Sequence, residues 1–299
     1  MNWSDSVLEF KHFLTLEKGL AENSVISYCS DIYKFTEYLE INGIVIVPEK
    51  VLPVHIKNFI NYLNDLGISA ATQARMISSF KAFYNFLTLT EKITENPAQL
   101  IESPKLMRKL PEVLSVQEID KMLAVIDLSK LAGLRDKAII ETMYSCGLRV
   151  SEAVNLKISH IYEGEGFIKV TGKGNKERLV PIGNKALKEI EHYKKHFRNK
   201  LDIKKEAKDI LFLNARGNRI SRVMIFKIVK ELCQVAGIAK NVSPHTFRHS
   251  FATHLIEGGA DLRSVQEMLG HESITTTEIY THLDRTYLRD VIIQFHPRS

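Results

Sequence analysis

The segment ESPKLMRKLP, at residues 102–111, divides the chain into two parts of different character. It contains two prolines and three cations, Lys105, Arg108 and Lys109, with few apolar residues. Because proline interrupts helices and strands, such a segment is typical of a linker. We therefore expect one domain at residues 1–101 and a second at residues 112–299. The cations of the linker are candidate contacts to a phosphate backbone, and a solvated loop is the simpler alternative.

Apolar side chains recur with helical spacing in the part before the linker. The clearest stripe spans residues 25–39, and shorter ones span residues 7–14, 56–63 and 77–87. Recurrence at every third or fourth position is the pattern of one buried helix face. A glycine falls between each pair of successive stripes, where helix ends favour a left-handed residue. This pattern predicts a small bundle of four helices.

The part after the linker has a mixed pattern. Two short strands are expected at residues 167–170 and 178–182, joined by a glycine-bearing turn at 171–177. Helices are expected on either side of them, at residues 117–126, 134–144, 184–196 and 221–236. The predicted fold class is therefore mainly α with a small β-sheet, a helical bundle at the amino-terminal end followed by an α+β domain.

Composition and charge restrict the class of protein. Of the residues, 44% are hydrophobic and 25% are charged, which is ordinary for a globular protein. No apolar run approaches the 18 residues of a membrane-spanning helix, the amino terminus does not resemble a signal peptide, and the three cysteines are scattered. We therefore expect a cytoplasmic protein without a membrane segment.

The charge is unevenly distributed along the chain. Residues 1–100 contain eight basic and eleven acidic side chains, whereas residues 101–299 contain 33 basic and 24 acidic ones. An excess of cations in one domain favours a polyanionic partner such as nucleic acid, although a slightly basic surface would also explain it.

Four short motifs carry residues suited to chemistry on a phosphate. Ser243 and Pro244 predict a helix start, which places His245 and Arg248 on one face of its first turns, where free N–H groups favour an anion. Arg149 follows Gly147 at another helix start, and Glu152 could orient it. The remaining candidates are Lys173 in the predicted turn, His271 after a predicted helix end at Gly270, and Tyr280 nine residues further on. Lys176 and Arg178, at and after the same turn, are candidate contacts to a nucleic-acid backbone.

Each motif alone is compatible with an ordinary structural role. Together they supply two arginines, two histidines, a lysine and a tyrosine, a coherent set for attack by a phenol on a phosphodiester without a metal ion. A metallohydrolase using His245, His249 and His254 is the alternative from another enzyme class. It lacks the glutamate of the HExxH pattern, and Arg248 would lie unfavourably close to a bound cation.

The ordered motifs LRVSE, GKGNKER, HTFRHSFATHL and LGHESITTTEIYTH resemble those of the tyrosine recombinases, also called the phage integrase family. Within it, the chain is most similar to the Xer subfamily, including the ending FHPR at residues 295–298. The resemblance covers essentially the whole chain. It implies a core-binding, SAM-like DNA-binding domain at residues 1–101 and a catalytic domain at residues 112–299.

The resemblance also implies a role for each motif residue. Tyr280 would be the nucleophile, Arg149 and Arg248 the clamp on the scissile phosphate, and Lys173 the general acid. His245 and His271 would hydrogen-bond the phosphate and assist proton movement. Glu152 would support the site without itself contacting the phosphate. Because a phosphotyrosyl link stores the energy of the broken bond, no cofactor, ATP or metal is expected.

Partners are implied in the same way. These are a double-stranded recombination site, an XerC-like recombinase in a cyclic heterotetramer and an FtsK-type DNA translocase, acting on chromosome dimers at cell division. The tail, with apolar Leu288, Val291, Ile292 and Phe295, is expected to dock into a neighbouring subunit, with packing on its own domain as the alternative. A mobile-element integrase and, less favoured, a type IB topoisomerase remain as alternatives.

Overall fold

The computed structural model describes residues 2–105, 112–172, 176–270 and 282–298. The chain divides into two compact units, Met1–Lys109 and Leu110–Ser299, each with its own hydrophobic core. Among the described residues, none of the helices is both long and apolar enough to cross a bilayer.

The first unit is a bundle of four helices, as the sequence predicted. These are α1 (Trp3–Leu16), α2 (Glu22–Ile41), α3 (Pro53–Asp65) and α4 (Ala70–Leu89). Their apolar stripes meet in a core rich in aromatic rings, in which Phe35 contacts Phe59 and Phe80 at centroid distances of 5.3 Å each. The intervening glycines, such as Gly19, adopt the expected positive φ.

The second unit combines helices with one small antiparallel sheet. Its strands are β1 (Ile161–Tyr162), β2 (Phe167–Thr171) and β3 (Glu177–Pro181), in the order β1-β2-β3. The pairing of β2 with β3 runs from Phe167 opposite Pro181 to Thr171 opposite Glu177. The sequence predicted β2 and β3 but not β1, because two residues are too few to show the period of a strand.

Helices surround this sheet and form most of the core of the second unit. They are α5 (Val116–Ala124), α6 (Leu131–Ser145), α7 (Val150–Asn155), α8 (Asn184–His196), α9 (Arg222–Val235), α10 (Pro244–Gly258), α11 (Leu262–Leu269) and α12 (His282–Phe295). The mainly α fold class with a small sheet is thereby confirmed.

The structure places the apolar face of the tail on its own unit, the alternative to docking into a neighbouring subunit. Leu288, Val291 and Ile292 of α12 are each 4% exposed or less and belong to the core of their own unit. Gly258, at the end of α10, lies so close to Phe295 that an added Cβ would be 2.6 Å from its carbonyl oxygen. The apolar face of α12 is therefore filled within its own unit.

Candidate active site

The connection between α6 and α7 presents Arg149. Gly147 has a φ of +56°, and a Cβ there would lie 2.5 Å from Cδ1 of the buried Phe251 ring, so this tight turn requires glycine. Arg149 is the N-cap of α7, and its backbone N–H donates to Oε2 of Glu152 at 2.8 Å. Its Nη1 donates to Oε1 of Glu152 at 2.9 Å, while a third of the side chain remains exposed. Glu152 therefore orients Arg149, as the sequence suggested.

Arg248 approaches the same place from α10. This helix begins at Pro244 after the N-cap Ser243, whose backbone N–H donates to the hydroxyl of Thr246 at 3.0 Å. The Arg248 side chain is nearly buried, and its Nη1 donates to the carbonyl of Gly147 at 2.8 Å. Its Nη2 donates to the carbonyl of Leu269. His245, one turn earlier, is exposed.

The carboxyl-terminal end of α11 is the meeting point of these arginines. The helix starts at the N-cap Asp261, which accepts from the Ser264 N–H at 2.9 Å, and ends at Gly270 in the left-handed conformation. Its last carbonyls carry the negative end of the helix dipole and have no partner within the helix. The Leu269 carbonyl accepts from Arg248 and, at 3.4 Å, from Arg149. The backbone of α11 thus brings two guanidinium groups together.

Glu152 is the carboxylate of this cluster among the described residues. It is almost wholly buried, it hydrogen-bonds Arg149 and Arg178, and its Oε2 lies 3.8 Å from Nη1 of Arg248. Burial alone would raise the pKa of Glu152, but hydrogen bonds and charge from Arg178, and then hydrogen bonds from Arg149, lower it below its usual value. Glu152 is therefore ionised at neutral pH.

The cluster carries an excess of positive charge. Burial, and next the charge of Arg149, lowers the pKa of Arg248 to about 10, so that it still carries its proton at neutral pH. In the described part of the site, three guanidinium groups share one carboxylate, a balance that favours an added anion. Arginine forks match the oxygens of a phosphate in geometry as well as in charge. The arrangement is therefore suited to binding a phosphodiester.

Arg178 does not lie where a DNA contact would need it. Its side chain is 7% exposed, and its Nη1 and Nη2 donate to the two carboxylate oxygens of Glu152 at 2.8 and 3.0 Å. Its Nε donates to the carbonyl of Met268 at 2.8 Å. The sequence contained a signal for this position. Arg178 and the buried Val180 are two residues apart in β3, and side chains at that spacing point to the same face of a strand.

The other candidate residues are divided between the surface and the parts of the chain that are not described. Lys105 and Lys176 are exposed, as contacts to a phosphate backbone require. Gly172 donates its N–H to the Lys176 carbonyl at 2.8 Å, which pairs the two sides of the hairpin. The expectations for Arg108, Lys109, Lys173, His271 and Tyr280 fall outside the described residues.

The histidines of α10 do not form a metal site in the described structure. His254 is engaged elsewhere, with its Nδ1 2.7 Å from the hydroxyl of the buried Tyr144. No three histidine, cysteine, aspartate or glutamate side chains converge as metal ligands within the ranges that the structure describes. The geometry of α10 therefore gives the metallohydrolase alternative no support.

Both parts of the chain match known families. Residues 112–286 match the Phage integrase family, and residues 7–91 match the Phage integrase, N-terminal SAM-like domain. Two relatives called "Tyrosine recombinase XerD" are similar over their whole length. The one from Oceanobacillus iheyensis is 43% identical over 98% of this chain and 99% of the relative, and the one from Chlorobaculum tepidum is 44% identical over 99% and 98%.

Solved structures give the same result. The XerH site-specific recombinase, in its post-cleavage complex with a palindromic difH substrate, superposes with a TM-score of 0.70 and 27% identity, over 89% of this chain and 78% of the other. A lambda integrase (residues 75–356) bound to DNA shares the fold, with a TM-score of 0.71 and 18% identity over 95% and 96%. The chain therefore belongs to the phage integrase family, as a tyrosine recombinase of the Xer type.

Proposed function

We propose that this site-specific recombinase cuts and rejoins double-stranded DNA through a covalent link to Tyr280. The observation that carries the proposal is the convergence of Arg149 and Arg248 on the Leu269 carbonyl, two residues before His271 in the sequence. Both guanidinium groups are held by the protein before DNA arrives, and pre-organised cations stabilise the charge that develops on a phosphoryl group in the transition state.

The reaction follows from the proposed roles. The phenol oxygen of Tyr280 attacks the scissile phosphorus and loses its proton, with His245 and His271 assisting. The bond from phosphorus to the 5′ oxygen breaks, and Lys173 gives this leaving oxygen a proton. Arg149 and Arg248 hold the non-bridging oxygens throughout. A free 5′-hydroxyl from another strand then reverses the attack, and two rounds of exchange form and resolve a Holliday junction.

The biological task that we propose is resolution of chromosome dimers in the cytoplasm at cell division. Relatives called XerD that match this chain over its whole length support this role over that of a mobile-element integrase. An XerC-like recombinase in a cyclic heterotetramer and an FtsK-type translocase are the proposed partners. Exposed Lys105 and Lys176, together with Arg108 and Lys109, are proposed to contact DNA phosphates.

Covalent trapping tests the function directly. The protein is mixed, in EDTA, with nicked suicide duplexes that carry candidate resolution sites, and the products are separated on a denaturing gel. We expect a shifted protein–DNA band with the wild type and none with Tyr280→Phe, which should bind the same duplex with unchanged affinity. An adduct with Tyr280→Phe at the normal rate would contradict the role of Tyr280.

A wild type that binds the site but forms no adduct would be tested again with the XerC-like partner. An adduct that appears only then would indicate activation by the partner. Its continued absence would contradict the proposed chemistry.

A further inference from the structure

The buried side chain of Arg178 connects its own strand to two other elements of the second unit. It belongs to β3, its two Nη atoms donate to both oxygens of Glu152 in α7, and its Nε donates to the Met268 carbonyl of α11. The contact with Glu152 is bidentate, a geometry that only the planar fork of an arginine provides. With these three hydrogen bonds, the guanidinium fixes α7, α11 and β3 relative to one another.

These three elements lead to three of the six proposed catalytic residues. Arg149 is the N-cap of α7, and His271 follows Gly270 at the end of α11. Lys173 belongs to the connection between β2 and β3. The hydrogen bonds of Arg178 therefore connect described elements from which the chain continues to Arg149, Lys173 and His271.

Two glycines of the same segments lie beside the Arg178 side chain. A Cβ at Gly270 would lie 3.0 Å from Cδ of Arg178, and one at Gly172 would lie 3.5 Å from its Nη1. A Cβ at Gly172 would also lie 3.7 Å from Oε1 of Glu152. A side chain larger than glycine at position 270 would therefore press on the Arg178 side chain, whereas one at position 172 would only touch it.

The carboxylate that Arg178 binds is the one that orients Arg149. Oε1 of Glu152 accepts from Nη1 of both arginines, at 2.9 and 2.8 Å. A shift of the carboxylate would therefore move Arg149. Since misplacement of a catalytic group by about 1 Å can cost on the order of a hundredfold in rate, the placement of this carboxylate matters for catalysis.

We propose that Arg178 is a positioning residue of the recombination reaction, which acts on the arginine clamp through Glu152 and the end of α11 and does not touch DNA. This inference rests on the proposed function, because it concerns the same site. It differs from a role in stability alone, which would affect the amount of folded protein and not the rate of the folded enzyme.

The test compares Arg178→Lys with a matched control, Arg198→Lys. Arg198 is also a buried arginine of the second unit, but it donates to the backbone carbonyls of Ala207, Lys208 and Ile210, outside the proposed site. Single-turnover cleavage is measured at saturating suicide DNA, at a temperature where circular dichroism shows each variant to be folded. The dissociation constant for the same DNA is measured in parallel.

The second arm uses DNA with a methylphosphonate at the scissile position. Replacing a charged oxygen by a methyl group makes the linkage neutral, so that it depends less on a cationic clamp. With ordinary DNA, we expect Arg178→Lys to cleave about 10- to 100-fold more slowly than the wild type at an unchanged dissociation constant. With methylphosphonate DNA, the deficit should shrink to less than about threefold, whereas Arg198→Lys should stay within about threefold of the wild type on both substrates.

Three results would overturn the inference. These are wild-type cleavage by Arg178→Lys, an equal deficit on both substrates, or a loss of DNA affinity that accounts for the slower cleavage. If Arg178→Lys does not fold, Arg178→Gln, which retains a donor without the charge, undergoes the same comparison. Failure of both variants to fold beside a folded Arg198→Lys would assign Arg178 to stability and also reject the proposal. The adduct formed by the wild type on the same gels reports separately on the proposed function.

Discussion

At the scale of single residues, the site depends on one carboxylate among several cations. Glu152 lies within 4 Å of three guanidinium groups, and its own side chain is 2% exposed. A buried carboxylate is tolerated only where hydrogen-bonding partners replace its hydration shell. In turn, the three arginines repel one another, and the negative charge of Glu152 allows them to lie close together. Glu152 is therefore required for the cluster to exist before a phosphate arrives.

Glu152→Gln is expected to destabilise the second unit by about 3 kcal/mol, since it removes one charge from a buried ion pair. The side-chain amide of this variant would also place an N–H donor toward Arg178, which is itself a donor. Urea denaturation of the full chain measures the effect. Glu191→Gln is the control, because Glu191 forms an exposed pair with Lys194, and its loss should cost less than about 1 kcal/mol. Equal effects of the two variants would contradict this assignment.

Acid should weaken the same interaction. The folded state lowers the pKa of Glu152, so its contribution to stability is complete above the unfolded pKa, which is about 4.3. This contribution is lost as the pH falls below that value, through the lower pKa of the folded state. The difference in unfolding free energy between the wild type and Glu152→Gln should thus shrink from pH 6 to pH 3. A difference that does not change with pH would show that charge is not its origin.

At the scale of elements, the site is built from the ends of short helices. Arg149 occupies the start of α7, and the carbonyls of Met268 and Leu269 lie at the end of α11. Such ends leave backbone groups without partners, and here the side chains of other elements satisfy them. A tight turn at Gly147 brings these ends together.

Gly147→Ala is expected to cost about 3 kcal/mol of stability, from the positive φ and from a contact of 2.5 Å with the ring of Phe251. Gly19→Ala provides the control. Gly19 has a similar φ of +58° but open space around its Cβ position, so only the conformational cost of about 1 kcal/mol remains. Chemical denaturation of both variants measures the difference, and similar losses would show that packing at Gly147 is unimportant.

Two neighbouring isoleucines of α12 test whether this helix packs on its own unit. Ile292 in α12 is 2% exposed and its neighbour Ile293 is 55% exposed. We expect Ile292→Ala to destabilise the protein without DNA by about 2–4 kcal/mol, and Ile293→Ala by less than about 0.5 kcal/mol. If Ile292→Ala leaves the unfolding curve of the protein unchanged, α12 does not pack on its own unit in solution.

At the scale of the whole molecule, the uneven charge should govern DNA affinity. The cationic excess lies in residues 101–299, which contain the arginine cluster and exposed Lys105 and Lys176. Binding by such a surface releases the counterions of the DNA, and the logarithm of the affinity then falls linearly with the logarithm of the salt concentration.

We expect site-specific DNA binding to weaken steeply with salt. With about six phosphates contacted, the affinity should fall about a thousandfold between 50 and 200 mM salt. Fluorescence anisotropy of a labelled duplex measures the slope of the logarithm of affinity against the logarithm of salt concentration. A duplex of equal length without the site measures the part of the affinity that does not depend on DNA sequence. A slope near zero would contradict an interface dominated by phosphate contacts.

The sequence by itself determined the class of fold and the family. Apolar periodicity predicted the four-helix bundle, the pairing of β2 with β3 and most helices of the second unit, because such patterns are local and repeat within one element. Local capping also predicted that Arg149 and His245 would lie near helix starts, and that Glu152 would orient Arg149. Each of these features depends on residues that are only a few positions apart in the sequence.

Only the tertiary structure decided which side chains share a place. The interaction of Arg178 with Glu152 spans 26 residues, and that with Met268 spans 90, so no local pattern displays these contacts. The same holds for α12, whose apolar stripe is equally suited to its own unit and to a neighbouring subunit until the fold provides a surface for it. Hydrophobic periodicity specifies that a face is buried, but the partner that buries it depends on the packing of distant elements.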